Sequence, residues 1–244
     1  MFEDLDAETH VWWCQLDQPI EVVEEYYEVL SETERRYIGR YKTAQLRDRH
    51  TVAKGSLKTL IGLYLDENPE QLELRSGQFG KPFLVRANDE PNLQFSGSHS
   101  SHIAVYAFAK NRLIGVDVEE MVARAHWEDL LTMCLSEYEN RWFSRLVSSR
   151  KAETFYRVWT IKEAYLKATG TGLSVSPRNI EVRVGGENEY QFHRISGVFE
   201  RTRQWRLLSF TPSTNFSASL VVEGGPTDIK GFCWEPNRLR NPHL

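Results

Sequence analysis

The sequence predicts an α+β protein made of two similar halves, and two observations support this fold class. Residues 30–34 (LSETE) recur as residues 135–139 (LSEYE), and both copies have the serine-to-glutamate spacing of a capping box that opens a helix. In each half a second helical stretch with a central lysine follows, at Lys54 or Lys162, and then comes β-rich sequence. This repeated order predicts two related units of about 110 residues with a groove between them that suits a ligand. The alternative is that a five-residue capping match recurs by chance.

The first half opens with a strand and three helices. Alternating apolar side chains predict a strand over residues 11–16, and apolar residues at helical spacing predict a first helix over 20–30. The first capping box predicts a second helix over 31–41. A third helix, the longest of this half, is predicted over about 44–64.

After these helices the chain has the pattern of strands and turns. Residues 93–96 predict a strand that leads into a small-residue loop at 98–100. Residues 103–109 form a continuous apolar run that is typical of a buried strand. Asn111 and Arg112 then predict a tight turn into the next strand, so that the two strands would form a hairpin.

The predicted domain organisation follows from this order of elements. Residues 1–112 would form the first half, residues 113–224 the second half with the metal site, and residues 225–244 a C-terminal tail. Because the tail is rich in Gly, Pro and Asn, we expect it to be largely irregular, with Trp234 packed on the surface.

Composition is typical of a folded cytoplasmic protein. Of the 244 residues 41% are hydrophobic, which allows a substantial core, and no apolar run reaches the roughly 18 residues of a membrane span. The first ten residues are acidic, unlike a secretory leader, and the three cysteines lack metal-ligand spacing, which predicts reduced thiols. A net charge of −4 argues against a general nucleic-acid binder.

Residues 113–119 (LIGVDVE) place two carboxylates in an apolar segment. In a strand, Asp117 and Glu119 would share one face while the apolar side chains occupy the other. Two carboxylates on one face need a cation or several hydrogen-bond donors between them, and hard oxygen ligands at this spacing suit Mg²⁺. Glu163 and Lys167, four residues apart, would share one face of a later helix. The alternative interpretation is a solvated strand edge and an ordinary intrahelical ion pair.

Two further segments carry groups that can bind anions. Lys81 lies between Gly80 and Pro82 on a short rigid turn, and a cation fixed in this way binds phosphate at little ordering cost. His99 is flanked by serines, so that hydroxyls and an imidazole can converge on an anion. Each also has a structural explanation, as a turn lysine and as polar residues that cap a strand end.

Taken together in chain order, these segments resemble a known family. Their motifs are residues 80–82 (GKP), 95–100 (FSGSHS), 114–119 (IGVDVE) and 159–173 (WTIKEAYLKATGTGL). In this order and spacing they resemble the motifs of the Sfp-type 4'-phosphopantetheinyl transferases, and the last motif is the most specific. Where the family often has Asn-Leu-Ser-His-Ser, this chain has Ser-Gly-Ser-His-Ser, and we expect binding to survive the change.

The resemblance implies a fold and an activity. The fold is a pair of α+β halves related by a pseudo-twofold axis, with the active site in the cleft between them. The activity is Mg²⁺-dependent transfer of the 4'-phosphopantetheine arm of coenzyme A to a serine of an apo acyl or peptidyl carrier protein, with release of adenosine 3',5'-bisphosphate, as in holo-[acyl-carrier-protein] synthases. We expect a monomer, because two halves in one chain supply the pairing that smaller relatives obtain by oligomerising.

By motif position, the resemblance also implies roles for single residues. The metal would be held by three carboxylates, Asp117, Glu119 and Glu163. The pyrophosphate would be bound by Lys167. The nucleotide and its phosphates would be bound by Lys81, Ser98 and His99. Glu163 would be either a third metal ligand or the base that takes the serine proton. Glu139 and Lys162 match charged family positions, and their roles stay open.

Residues 35–58 contain eight lysine or arginine residues and one acid. This excess is either a solvated helix face or a binding site for phosphate or an acidic partner. If it binds the adenosine 3'-phosphate, Arg49 is the preferred contact, ahead of Arg35, Arg36 and Arg40.

Two other function classes fit parts of the pattern. A metal-dependent nuclease would use the same carboxylates, but the acidic net charge weighs against it. A carrier-binding module without catalysis would not be expected to retain the complete set of carboxylates, lysines and histidine.

Overall fold

The computed structural model describes residues 3–86, 92–122, 127–185, 189–195 and 205–236, which form an α+β fold. The helices are α1 (Ile20–Val29), α2 (Glu32–Ile38), α3 (Ala44–Leu65), α4 (Trp127–Cys134), α5 (Glu137–Phe143) and α6 (Ser148–Thr169). The strands of the first half are β1 (Glu8–Gln15), β2 (Leu74–Ser76), β3 (Pro82–Leu84), β4 (Leu93–Ser100) and β5 (Ile103–Lys110). The remaining strands are β6 (Ile114–Glu120), β7 (Ile180–Val184), β8 (Tyr190–Ile195), β9 (Trp205–Phe210), β10 (Phe216–Glu223) and β11 (Asp228–Cys233).

The two halves have the same strand order. In the first half β1 pairs antiparallel with β5, which pairs with β4. In the second half β6 pairs antiparallel with β10, which pairs with β9. A two-stranded hairpin, β2–β3 or β7–β8, follows the 22-residue helix of each half. The predicted α+β fold of two similar halves is therefore confirmed.

A buried ion pair holds the second half together. Lys162 Nζ donates to Glu139 Oε2 at 2.6 Å and to the carbonyl oxygen of Cys134 at 2.6 Å, and neither charged side chain is exposed. Glu139 also accepts the Ser136 N–H as part of the α5 capping box and the Val182 N–H of β7. Buried charges are tolerated only where such partners are complete. Both groups therefore have a structural role in this fold.

The first half repeats this arrangement with one difference. Lys58 Nζ donates to the Val29 carbonyl oxygen at 2.8 Å and lies 3.5 Å from Glu34 Oε2. Lys54, which the sequence pattern matched to Lys162, is half-exposed and lies 3.5 Å from Glu34 Oε1. That match was wrong, since Lys58 occupies the equivalent buried position. The error arose because two lysines four residues apart share one helix face.

The packing of helices and sheets in layers determines which face of β6 carries its carboxylates. Helix α3 covers one face of the first sheet, α6 covers the outer face of β6 and β10, and the inner faces of the two sheets pack together. The apolar residues of β6 in that inner core are Ile114, Val116 and Val118. Because side chains alternate along a strand, Asp117 and Glu119 lie on the outer face, beside α6.

Two predicted features are wrong. Strands β5 and β6 do not form a hairpin, because β5 lies between β1 and β4; the turn at Asn111 instead carries the chain from one sheet to the other. The predicted tail is partly ordered, since β11 pairs in parallel with β1. The expected packing of Trp234 is present, because this half-buried side chain packs against the core of the first half and its Nε1 donates to the Tyr26 hydroxyl at 3.0 Å. Residues 237–244 of that tail lie outside the described residues. Strand β11 thus adds an edge strand to the first sheet.

Candidate active site

Helix α6 approaches β6 at backbone distance. A Cβ atom on Gly115 would lie 1.9 Å from the Ala164 carbonyl oxygen and 2.4 Å from the Ala168 nitrogen. Only glycine, which lacks this atom, allows such a contact. The contact brings α6 directly over the part of β6 that carries Asp117.

Asp117 links the three elements of the site. Its Oδ1 accepts hydrogen bonds from Lys167 Nζ of α6 at 2.7 Å and from Ser98 Oγ of β4 at 2.8 Å. Lys167 Nζ also donates to Ser98 Oγ at 2.7 Å. The Asp117 side chain is buried, and its Oδ2 accepts no hydrogen bond from the described part of the chain. Three predicted site residues, Asp117, Lys167 and Ser98, therefore meet.

The predicted loop at 98–100 is the end of strand β4. The alternate serines of this strand face β6: Ser96 Oγ accepts the Val116 N–H at 3.1 Å, and Ser100 Oγ donates to Glu119 Oε2 at 3.0 Å. Small polar residues are typical of loops in a sequence, but here they bridge two sheets at short range. The loop prediction was wrong for this reason.

Glu163 faces the same region from α6. Burial, followed by the negative charge of Asp117, raises the pKa of Glu163 to about 7. The same two causes raise the pKa of Glu119. Glu163 Oε1 is buried and, within the described ranges, has no hydrogen-bond partner. The three carboxylates are thus close enough to repel one another, and Lys167 offsets part of that repulsion.

The donor set fits a divalent cation, although the side chains are not arranged as a finished metal centre. Across the residues that the structure describes, no group of three or more acidic, histidine or cysteine side chains has metal-binding geometry. Yet Asp117 Oδ2 and Glu163 Oε1 are both buried without a hydrogen bond. The charge of Asp117 also raises the pKa of Glu163, and closely spaced carboxylates of this kind are the groups that Mg²⁺ or Ca²⁺ would stabilise.

A cavity of about 540 Å³ opens beside Ser98 in the first half. A row of rings lines it: the Tyr41 and His50 rings stack with centroids 3.8 Å apart, and His50 meets the His99 ring edge-on at 4.6 Å. Partial desolvation in this cavity, with the nearby charges of His50 and Lys167, lowers the pKa of His99 to about 4, although part of the residue stays exposed to solvent. His99 is therefore uncharged near neutral pH.

The basic group that lines this cavity is Lys54, whereas Arg49 lies elsewhere. Arg49 Nε and Nη2 donate to the two carboxylate oxygens of Asp17 at 2.6 and 2.7 Å, and Arg49 is not among the residues that line the cavity. Arg49 therefore does not line the cavity that Ser98 and His99 line. Sequence reasoning missed Lys54 and His50, which are one helical turn apart on one face of α3. That spacing is the signal that would have identified them.

A smaller cavity of about 260 Å³ continues toward the carboxylates and is lined by Glu163 and Lys167. Gly80, Pro82 and Gly97 line both cavities, so the two adjoin. Together they form a cleft between the halves, which we call the seam cleft, with aromatic rings at one end and the carboxylates at the other.

Lys81 lies where this cleft meets the end of α6. Its Nζ donates to the carbonyl oxygens of Ile114 and Ala168, both at 3.1 Å. Burial lowers the pKa of Lys81 to about 8. Two of the three ammonium donors thus bind backbone carbonyls, and the phosphate contact expected of Lys81 stays a prediction.

Comparisons with known proteins agree with these features. The family model of the 4'-phosphopantetheinyl transferase superfamily matches residues 113–221. The chain is 31% identical to the 4'-phosphopantetheinyl transferase HetI of Nostoc sp., over 95% of this chain and 92% of that protein. It is 29% identical to the 4'-phosphopantetheinyl transferase ffp of Bacillus subtilis, over 56% of this chain and 59% of that protein. A holo-(acyl-carrier-protein) synthase from Bacillus anthracis, solved in complex with CoA (3',5'-ADP), superposes with a TM-score of 0.38 and 28% identity, over 46% of this chain and 96% of that one.

The family-model match and the similarity to HetI define the class of protein. The chain belongs to the 4'-phosphopantetheinyl transferase superfamily. It is an enzyme that transfers the 4'-phosphopantetheine arm from coenzyme A to a carrier protein.

Proposed function

We propose that the enzyme attaches the arm to a serine hydroxyl of an apo acyl or peptidyl carrier protein and releases adenosine 3',5'-bisphosphate, which is the holo-[acyl-carrier-protein] synthase type of reaction. The main support is the meeting of Asp117, Lys167 and Ser98 at one end of the seam cleft. The cavity at the other end, about 540 Å³, has the size of a typical small-molecule site.

We propose that the reaction requires Mg²⁺ and that Asp117, Glu119 and Glu163 would hold it. The unpaired oxygens of Asp117 and Glu163 support this assignment. When bound, the ion would supply charge neutralisation at the diphosphate of coenzyme A.

The residues around it provide the remaining chemistry. Attack by the serine hydroxyl on phosphorus requires in-line placement, removal of one proton and stabilisation of the departing bisphosphate. Lys167, which donates a hydrogen bond to Asp117, would offset charge on the leaving group. Glu163, with a pKa of about 7, exists in both protonation states near neutral pH and can take the serine proton unless it serves as the third metal ligand.

We propose that the aromatic end of the cleft holds the adenosine portion of coenzyme A. Tyr41, His50 and His99 offer ring surfaces for the base, and Lys54 offers a cation for the 3'-phosphate. In this arrangement Lys54 takes the role that the sequence assigned to Arg49. Ser98, which lines the cavity and contacts Lys167, lies between the nucleotide and the carboxylates.

The function is tested with the purified chain, coenzyme A, Mg²⁺ and a panel of apo carrier proteins from fatty-acid, polyketide and nonribosomal-peptide synthesis. We expect intact-mass spectrometry to show that at least one carrier gains one phosphopantetheine group, with equimolar adenosine 3',5'-bisphosphate in the supernatant. A carrier whose acceptor serine is replaced by alanine serves as the control. No mass gain on any carrier of the panel would refute the proposal.

We also propose that the enzyme is a cytoplasmic monomer. Both walls of the seam cleft come from one chain, so the site needs no second copy. Within the described ranges, none of the helices combines the length and the apolar character needed to cross a bilayer.

Thermal unfolding tests the metal proposal independently of activity. Because burial and Asp117 raise the pKa of Glu163 to about 7, this carboxyl is protonated well below pH 7 and charged above it. A folded-state pKa above the unfolded value means that the metal-free protein loses stability as pH rises from about 4.5 to about 7. Metal ligands must be deprotonated, so the increase in Tm caused by Mg²⁺ should grow as pH rises through about 7.

Glu163→Gln serves as the comparison for this measurement. We expect its Mg²⁺-induced shift in Tm to be smaller and less dependent on pH, because one of the two carboxyl groups with a raised pKa is gone. An equal Mg²⁺ shift in the parent protein at about pH 5.5 and about pH 8 would contradict the assignment of Glu163 to the metal site.

A further inference from the structure

We propose that Lys81 is a positioning residue of the transfer reaction: its ammonium group joins the start of β6 to the end of α6 and so fixes Asp117 and Lys167 relative to each other. This inference rests on the transferase function. It differs from the phosphate contact that the motif implies, because it assigns Lys81 to the arrangement of the reacting groups and not to the binding of coenzyme A.

Three segments meet at the Lys81 ammonium group: the turn that carries Lys81, the start of β6 and the end of α6. Lys81 Nζ donates to the Ile114 carbonyl oxygen of β6 and to the Ala168 carbonyl oxygen of α6. Asp117 follows Ile114 by three residues, and Lys167 directly precedes Ala168. The two carbonyl groups that Lys81 joins therefore flank the two side chains that meet at 2.7 Å in the site.

A lysine suits this junction for a physical reason. Ala168 lies in the last turn of α6, where carbonyl oxygens lack helical partners and the helix dipole favours a cation. The Ile114 carbonyl oxygen accepts the other hydrogen bond from the same ammonium group. Burial lowers the pKa of Lys81 to about 8, so the group still carries its charge near neutral pH.

The first half presents Lys81 from a rigid turn. The Gly77 N–H donates to the Lys81 carbonyl oxygen at 2.8 Å, and Pro82 fixes the backbone that follows. Gly172, just beyond α6, packs against Phe79 of the same turn, since a Cβ atom on Gly172 would lie 2.7 Å from the Phe79 Cβ. The turn thus contacts the end of α6 at two points, and Lys81 provides the polar one.

The test separates positioning from phosphate binding by steady-state kinetics. For Lys81→Met, which keeps the apolar stem and removes the donors, we expect kcat to fall by about 10-fold to 100-fold, because misplacement of reacting groups by about 1 Å has effects of this size. The KM for coenzyme A and the affinity for adenosine 3',5'-bisphosphate should stay within about 3-fold of the parent values. A raised KM with unchanged kcat would overturn the inference.

Two further variants sharpen the comparison. Lys81→Arg keeps the charge, so a phosphate contact would tolerate this substitution. The contact with two backbone carbonyls would not tolerate it, because the guanidinium is larger than the ammonium group and planar. Lys54→Met, at the aromatic end of the cleft, should give the opposite result, with a raised KM for coenzyme A and little change in kcat. Full activity of Lys81→Arg would count against positioning.

Amide hydrogen exchange gives a readout that does not depend on turnover. Loss of the Lys81 junction should speed exchange in the last turn of α6, around Lys167 and Thr169, while protection in α3 stays unchanged. If the parent enzyme transferred nothing to any carrier, the proposed function would fail, but this measurement would still decide the structural part of the inference. Unchanged exchange at the end of α6 in Lys81→Met would refute it.

Discussion

Replacing Asp117 with asparagine should lower kcat for phosphopantetheine transfer by about 100-fold or more while the protein stays folded. Asparagine keeps the shape of the side chain and an oxygen that can accept the Ser98 hydroxyl, but it removes the charge that Lys167 pairs with. It also removes one of the three carboxylates assigned to Mg²⁺. Single-turnover transfer to an apo carrier measures the chemical step directly.

The same substitution should leave the free energy of unfolding within about 1 kcal/mol of the parent value. Lys167 loses its charged partner, but its side chain is 31% exposed, so solvent can stabilise the ammonium group that remains. The charge of Asp117 contributes to the raised pKa of both Glu163 and Glu119. Removing that charge therefore relieves repulsion and offsets the cost of the lost ion pair. A site in which carboxylates repel one another until a ligand binds is expected to show this combination of retained stability and lost activity.

Glu120→Gln is the matched control for Asp117→Asn. Glu120 lies on the same strand, but alternation turns its side chain to the opposite face from Asp117 and Glu119. We expect near-parent activity for Glu120→Gln. If Asp117→Asn retained more than about a tenth of the parent kcat, Asp117 could not be a principal group of the site.

The features that sequence predicted correctly are those set by local rules. The capping boxes at Ser31 and Ser136 depend on contacts three residues apart, and both formed as predicted. The division of β6 into an apolar face and a face with Asp117 and Glu119 depends only on the two-residue period of a strand. The meeting of Asp117 with Lys167 could be expected only from the family resemblance, since the two side chains are 50 residues apart.

The features that sequence missed depend on distant partners. Strand β11 pairs with β1, so that Asp228 lies opposite Glu8, and a composition with glycine and proline gave no local sign of this pairing. Strand β5 had the pattern of one arm of a hairpin, but both of its edges are occupied by β1 and β4. A short window of sequence does not indicate which strands will pair with the two edges of a given strand.

Arg49, the basic residue preferred for the adenosine 3'-phosphate, does not line the cavity, whereas Lys54, which was not among the predicted contacts, does. Both are basic residues of α3, and consecutive positions on a helix differ in direction by about 100°. Which direction faces the cavity depends on how α3 packs on the first sheet, and that packing is a tertiary property. Once α3 is placed, Lys54 lines the cavity and Arg49 pairs with Asp17.

A single methyl group at Gly115 should disrupt both the fold and the site. The Cβ of Gly115→Ala would lie 1.9 Å from the Ala164 carbonyl oxygen and 2.4 Å from the Ala168 nitrogen, and both are backbone atoms of α6 that cannot rotate away. The helix must therefore shift from β6, and overpacking of this kind costs about 3 kcal/mol or more. Because Lys167 reaches Asp117 from the same stretch of α6, the shift should also lower transfer activity in the molecules that remain folded.

Urea unfolding and transfer assays on Gly115→Ala test this expectation, with Gly225→Ala as the control. No heavy atom lies within 4 Å of the position of a Cβ on Gly225, so that substitution should leave both stability and activity near the parent values. A loss of less than about 1 kcal/mol for Gly115→Ala would mean that α6 does not pack on β6 at backbone distance. The arrangement of Asp117, Glu163 and Lys167 depends on that contact, so such a result would require a different account of how the second half assembles the site.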